Sequence, residues 1–121
     1  MTKERFKDWL EKLINIWKTK SPNRVLDLVA EKFQWHETSF DKLITTKRDL
    51  LQEWQTVLDQ DDIAVTYEIL SVENNIGIAH WSATFIRLPS KEKAELDGIY
   101  KVSLDENGKC TEFHQWYNSK Q

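Results

Sequence analysis

The chain has 121 residues, 40% of them hydrophobic and only five Gly or Pro, enough for one packed domain and against a disordered or low-complexity chain. A formal net charge of −3, with both signs interspersed, offers no basic footprint for nucleic acid. Cys110 stands alone, so no intrachain disulfide can form; with charged residues in place of an apolar leader and no apolar run of membrane-spanning length, the expectation is a cytoplasmic protein with neither nucleic-acid nor membrane partners.

Phe6, Trp9, Leu10, Leu13, Ile14 and Trp17 recur at the three- and four-residue steps of one helical face. Ser21-Pro22 predicts the end of that helix and the start of the next, with Ser as N-cap and Pro at the first helical position. The second helix carries Val25, Leu26, Val29 and Ala30 inward and ends near Glu31. Alternation from Phe33 to Thr38 predicts a short strand. Thr46-Lys-Arg-Asp49 resembles a capping box with Asp for the usual Glu, and Leu50, Leu51, Trp54, Val57 and Leu58 mark a third amphipathic helix.

The remainder predicts sheet. Ile63 to Glu73 is a strand, Asn74-Asn75 a tight turn tolerant of positive φ, and Ile76 to Leu88 the return strand. Two more strands follow, Ala94 to Leu104 and Lys109 to Tyr117, joined by a turn at Asp105-Glu-Asn-Gly108. Side chains alternate along a strand, so the more apolar sets should face the helices: Trp81, Ala83 and Phe85; Gly98, Tyr100, Val102 and Leu104; Phe113, Gln115 and Tyr117. His80, Ser82, Thr84, His114 and Trp116 fall on the other face. No repeat or linker divides the chain, so residues 1–121 form a single domain.

This order of elements, with Trp35-His-Glu37-Thr-Ser-Phe40, Trp81-Ser-Ala-Thr-Phe85, Glu95-Leu-Asp-Gly98 and the closing Phe113-His-Gln-Trp-Tyr117, resembles the nuclear transport factor 2-like (SnoaL-like) superfamily over essentially the whole chain. The resemblance implies an α+β fold: a cone-shaped roll of three N-terminal helices packed on a strongly curved antiparallel sheet, with a hollow between. The superfamily holds ketosteroid isomerases, scytalone dehydratases, polyketide cyclases and non-enzymatic binding modules, so the fold alone does not specify chemistry. The position of the isomerase base, at the end of the first strand, corresponds to Glu37 or its neighbour, and that of its second acid falls near Tyr100. The chain departs from that pattern in having Glu for Asp and a phenol for the second acid, and the dehydratase His–Asp pair has no counterpart. The resemblance also implies a homodimer through the outer sheet face.

The leading expectation is a pocket for an apolar or aromatic small molecule, lined by Trp35, Trp54, Trp81, Phe85, Phe113, Gln115 and Tyr117. An alternative is a cofactor-independent acid–base enzyme of the isomerase, dehydratase or cyclase type, with Glu37 as base and Tyr100 or Tyr67 as donor to a developing oxyanion. Burial beside Trp35 would raise the Glu37 pKa toward a useful range; the plainer role for either tyrosine is a hydroxyl satisfied by a neighbouring side chain. A third reading is a protein-interaction module with a filled core. No cofactor is expected. No metal is expected either: His80 and His114 share the outer face with a strand between them, and no carboxylate completes a ligand spacing.

Overall fold

The computed structural model describes residues 1–120. Helix α1 (Lys3–Lys18) starts at Thr2, whose Oγ1 accepts from the Arg5 amide at 3.1 Å, and buries Phe6, Trp9, Leu10, Leu13, Ile14, Ile16 and Trp17 along one face. Lys20, at φ 54°, turns the chain out of the helix. Pro22–Leu28 is a 3₁₀ helix, with Pro22 at its start and Val25 and Leu28 buried. Strand β1 (Val29–His36) follows at once. Val29 and Ala30 therefore begin the strand instead of ending a second α-helix; Val29 pairs with Cys110, and this tertiary partner outweighs the local helical spacing.

Helix α2 (Lys47–Trp54) begins where the capping pattern places it, with Thr46 Oγ1 accepting from the Asp49 amide at 3.2 Å, and runs into a 3₁₀ segment at Gln55–Asp59. The long strands β2 (Gln60–Glu73), β3 (Ile76–Arg87), β4 (Lys93–Leu104) and β5 (Cys110–Ser119) complete the chain. Asn74 takes φ 57° in the β2–β3 turn, and Gly108 takes φ 77° in the β4–β5 turn.

The sheet order is β1-β5-β4-β3-β2. The three pairings among β2 to β5 are antiparallel, whereas β1 lies parallel to β5, with Trp35 opposite Phe113 and His36 opposite His114. The sheet is therefore mixed, and its first strand is set by a partner from the far end of the chain. The free edge of β1 is capped by Ile44, which exchanges two backbone hydrogen bonds with Trp35 at 2.9 and 3.0 Å.

The inner face follows the predicted alternation: Ala79, Trp81, Ala83, Phe85, Tyr100, Val102, Leu104 and Phe113 are all buried beneath the helices. Two glycines permit close approach. A Cβ on Gly77 would lie 2.5 Å from the Phe6 ring, and one on Gly98 would meet the Trp116 carbonyl and lie 2.7 Å from Tyr117 Cβ. Cys110 is buried, and burial pushes its thiol up to about 12, which removes it as a nucleophile. No described helix is long and apolar enough to cross a membrane.

Candidate functional site

At one end of the roll, α2, its 3₁₀ extension and the inner face of the sheet leave a cavity of about 310 Å³, within the usual size for a small-molecule site. Its wall is aromatic. Trp35 stacks on Phe113 at 3.8 Å between ring centroids and 14° between planes, and Trp54 meets Trp35 edge-on at 6.4 Å. Trp81 stacks on Tyr100 at 5.0 Å, and Trp17, from the end of α1, meets Trp81 edge-on at 5.9 Å.

Glu37 enters this wall from the residue after the end of β1. Its Oε2 accepts from Trp35 Nε1 at 2.8 Å; Gln115 Nε2, from β5, donates to its Oε1 at 3.2 Å and to its backbone carbonyl at 3.1 Å. Strand alternation explains the Gln115 contact, since Phe113 and Gln115 point inward from the strand paired with β1. Burial raises the Glu37 carboxyl to about 7, helped by the negative charges of Glu53 and Asp41, while the bonds from Trp35 and Gln115 oppose the rise. A carboxyl at that value is part protonated at neutral pH, so it can accept a proton or give one.

Tyr100 is buried in the same wall, and its phenol is pushed upward by burial and by the Glu37 charge, so it stays protonated as a donor. The Glu37 hydrogen bonds, however, go to an indole and an amide, not to a phenol. The Nε1 atoms of Trp54 and Trp81 are buried and have no partner among the described residues. A buried donor left unpaired costs about 1–3 kcal/mol.

Glu37, Tyr100, Trp35, Trp54, Trp81, Phe85, Phe113, Gln115 and Tyr117 all line the cavity. Tyr67 does not. It lies on the inner side of β2 but under α1, where its hydroxyl donates to Glu11 Oε1 at 2.7 Å; burial and Glu11 push its pKa up to about 12. Tyr67 is thus the hydroxyl satisfied by a neighbour, whereas Tyr100 lies in the cavity wall. The wall also contains Trp17, Glu53, Gln60 and Arg87, which the sequence reading left out. Trp17 Nε1 donates to Gln60 Oε1 at 2.6 Å, and the Arg87 guanidinium lies 5.4 Å from the centre of the Phe85 ring. Burial raises the Glu53 carboxyl and Asp41 adds to the rise, so a second acid of elevated pKa faces the same space.

The opposite face of the sheet mixes polar and apolar side chains. His80 sits between Glu68, at 3.3 Å, and Asp97, at 2.9 Å, and Ser82 Oγ donates to Asp97 at 2.6 Å. The serine therefore meets the carboxylate instead of the imidazole.

The sequence profile of the SnoaL-like domain matches residues 10–113. No protein of curated function matches the sequence. Among solved structures, the chain is similar to the epoxide hydrolase/cyclase-like enzyme SalBIII, described in pyran ring formation in the polyether salinomycin, at a TM-score of 0.81 and 8% identity over 95% of this chain and 91% of that one. It is similar to a putative isomerase from Bacillus subtilis at 0.79 and 15% identity over 98% and 90%. An NTF2-like protein of unknown function from Exiguobacterium sp. 255-15 aligns at 0.74 and 12% identity over 91% and 98%. At these identities the likeness is one of fold. The aromatic cavity under a curved sheet and the profile match agree: the chain belongs to the SnoaL-like domain family of the NTF2-like superfamily.

Proposed function

We propose that the cavity binds a flat, largely apolar small molecule and that Glu37 exchanges a proton with it, in a cofactor-independent reaction of the isomerase, dehydratase or cyclase type. The observation that carries this reading is the Glu37 carboxyl buried in an aromatic-walled cavity, where burial raises it to about 7. In the reaction, Glu37 takes a proton from the bound molecule, and negative charge develops on a ligand oxygen. Tyr100 is the candidate donor to that oxygen, and the unpartnered indole N–H groups of Trp54 and Trp81 favour a ligand with an acceptor such as a carbonyl. Trp35 and Gln115 hold the carboxyl in place. That SalBIII is described as epoxide hydrolase/cyclase-like and the Bacillus protein as a putative isomerase is consistent with this class.

Native mass spectrometry of freshly expressed protein reports any co-purified ligand. That ligand, together with a panel of flat cyclic enones and 1,3-diketones, is then incubated in D2O. The wild type should catalyse deuterium exchange next to the carbonyl with an inflection near pH 7, and Glu37→Gln should lose about 100-fold or more. Equal exchange by both proteins would refute a proton-transfer role.

A second reading, a binding protein without turnover, is favoured by one observation: both Glu37 oxygens already accept hydrogen bonds from the protein. It predicts tight binding of the co-purified ligand without exchange in either protein.

A further inference from the structure

The parallel pairing of β1 with β5 does more than complete the cavity wall. It sets His36 beside His114 on the outer face, with Glu112 two residues before His114 on the same face. One imidazole donor from each histidine and one Glu112 oxygen lie within 4.8 Å of one another. We propose that His36, Glu112 and His114 form a binding site for one divalent transition-metal cation of the zinc class, on the side of the sheet opposite the cavity.

The donor chemistry fits. Two imidazoles and a carboxylate are a common three-ligand set for Zn²⁺, with water in the fourth position. Bonds of about 2.0–2.2 Å to a shared ion place tetrahedral ligand atoms roughly 3.3 Å apart. His114 Nε2 and Glu112 Oε1, at 2.7 Å, are already that close. The two imidazoles stack at 3.9 Å between ring centroids, 10° from parallel, so modest side-chain rotation brings the His36 nitrogen to the same point. The backbone beneath them is fixed by sheet pairing: Trp35 with Phe113 and His36 with His114.

The hydrogen bonding is also suited to a cation. His114 meets Glu112, but His36 has no side-chain hydrogen bond among the described residues, so a ring lone pair remains free. All three side chains are partly exposed, which gives an ion a path in and leaves a coordination position for water. Lys101, opposite His114 in the β4–β5 register, places a positive charge near Glu112 that competes with a bound cation. His80 provides an internal comparison. It too contacts carboxylates on this face, but Glu68 and Asp97 bind opposite nitrogens of a single ring, and no second histidine joins them.

The test uses the full chain, stripped by dialysis against a chelator and titrated with Zn²⁺ by calorimetry and by competition with a chromogenic chelator. The expected result is one ion per chain at a dissociation constant of about 10 µM or tighter. His36→Ala and His114→Ala should each weaken binding at least about 10-fold, while His80→Ala leaves it unchanged. Co²⁺ should give visible absorption bands that both site variants lose. Circular dichroism of the metal-free variants checks their fold, and His36→Gln and His114→Gln serve where an alanine variant does not fold. No saturable uptake by the wild type up to about 100 µM Zn²⁺ overturns the proposal. So does binding that survives substitution of His36 and His114, or that is lost on substitution of His80.

Discussion

Glu37→Gln provides a test of the cavity that needs no ligand. In an unfolded chain the carboxyl titrates at its ordinary 4.5, whereas in the folded protein it is raised to about 7. Between these values the folded state binds more protons than the unfolded state, so folding stability falls as pH rises. The contribution is fully present below about pH 4.5, is lost progressively to about pH 7, and is absent above it. Its size is roughly 3 kcal/mol, a large share of the stability of a domain of this length. Glutamine does not titrate, so the variant lacks this slope. It also changes the contacts with Trp35 and Gln115, but that offset is the same at every pH. Urea unfolding of both proteins at about pH 4.5 and about pH 8 isolates the effect, because every other titrating group is shared. The stability of the variant relative to wild type should improve by roughly 3 kcal/mol between the two conditions. A difference that stays within about 0.5 kcal/mol across that range would place Glu37 at an ordinary pKa and refute the reasoning.

Trp35→Phe removes the hydrogen bond that holds the Glu37 carboxylate down, so the Glu37 pKa should rise further above about 7, as read by carboxyl-carbon NMR titration. Gly98→Ala should cost about 1–3 kcal/mol in urea unfolding, because the new Cβ runs into the Trp116 carbonyl and Tyr117. Tyr67→Phe should leave ligand binding by the cavity intact, whereas Tyr100→Phe should weaken it by about 10-fold, one hydrogen bond's worth, in a fluorescence titration. The outer sheet face carries Trp116 at 45% exposure and Leu70 at 54%; if that face joins two copies, sedimentation should give a dimer for the wild type and a monomer for Trp116→Lys.

Alternation within single strands was the most legible part of this chain. It sorted Trp81, Phe85, Tyr100 and Phe113 onto the buried face from local pattern alone. The same rule, carried one step further along β3, puts Arg87 with Trp81 and Phe85, and Arg87 does line the cavity. Trp17 was visible as the last member of the α1 stripe, though not as a cavity residue. Alternation cannot say how far along the inner face a helix covers a strand, and Tyr67, expected as an alternative donor in the pocket, lies instead under α1 against Glu11. Pairing between distant segments was not legible at all. Nothing near Val29 or His36 announces that Cys110 and His114 lie beside them, because parallel neighbours meet only through the completed fold. The histidine–glutamate cluster was missed for that reason.

Four of the six tryptophans, Trp17, Trp35, Trp54 and Trp81, border the cavity. The protein thus carries its own optical reporter. A ligand entering among these indoles changes their emission without any attached dye, and the Trp35–Phe113 and Trp81–Tyr100 stacks impose an asymmetric environment readable in near-ultraviolet circular dichroism. The carboxyl 2.8 Å from Trp35 Nε1 gains charge as the solution is made alkaline. Its ionisation should therefore alter the emission of the adjacent indole, and the difference between pH scans of the wild type and Glu37→Gln isolates that change.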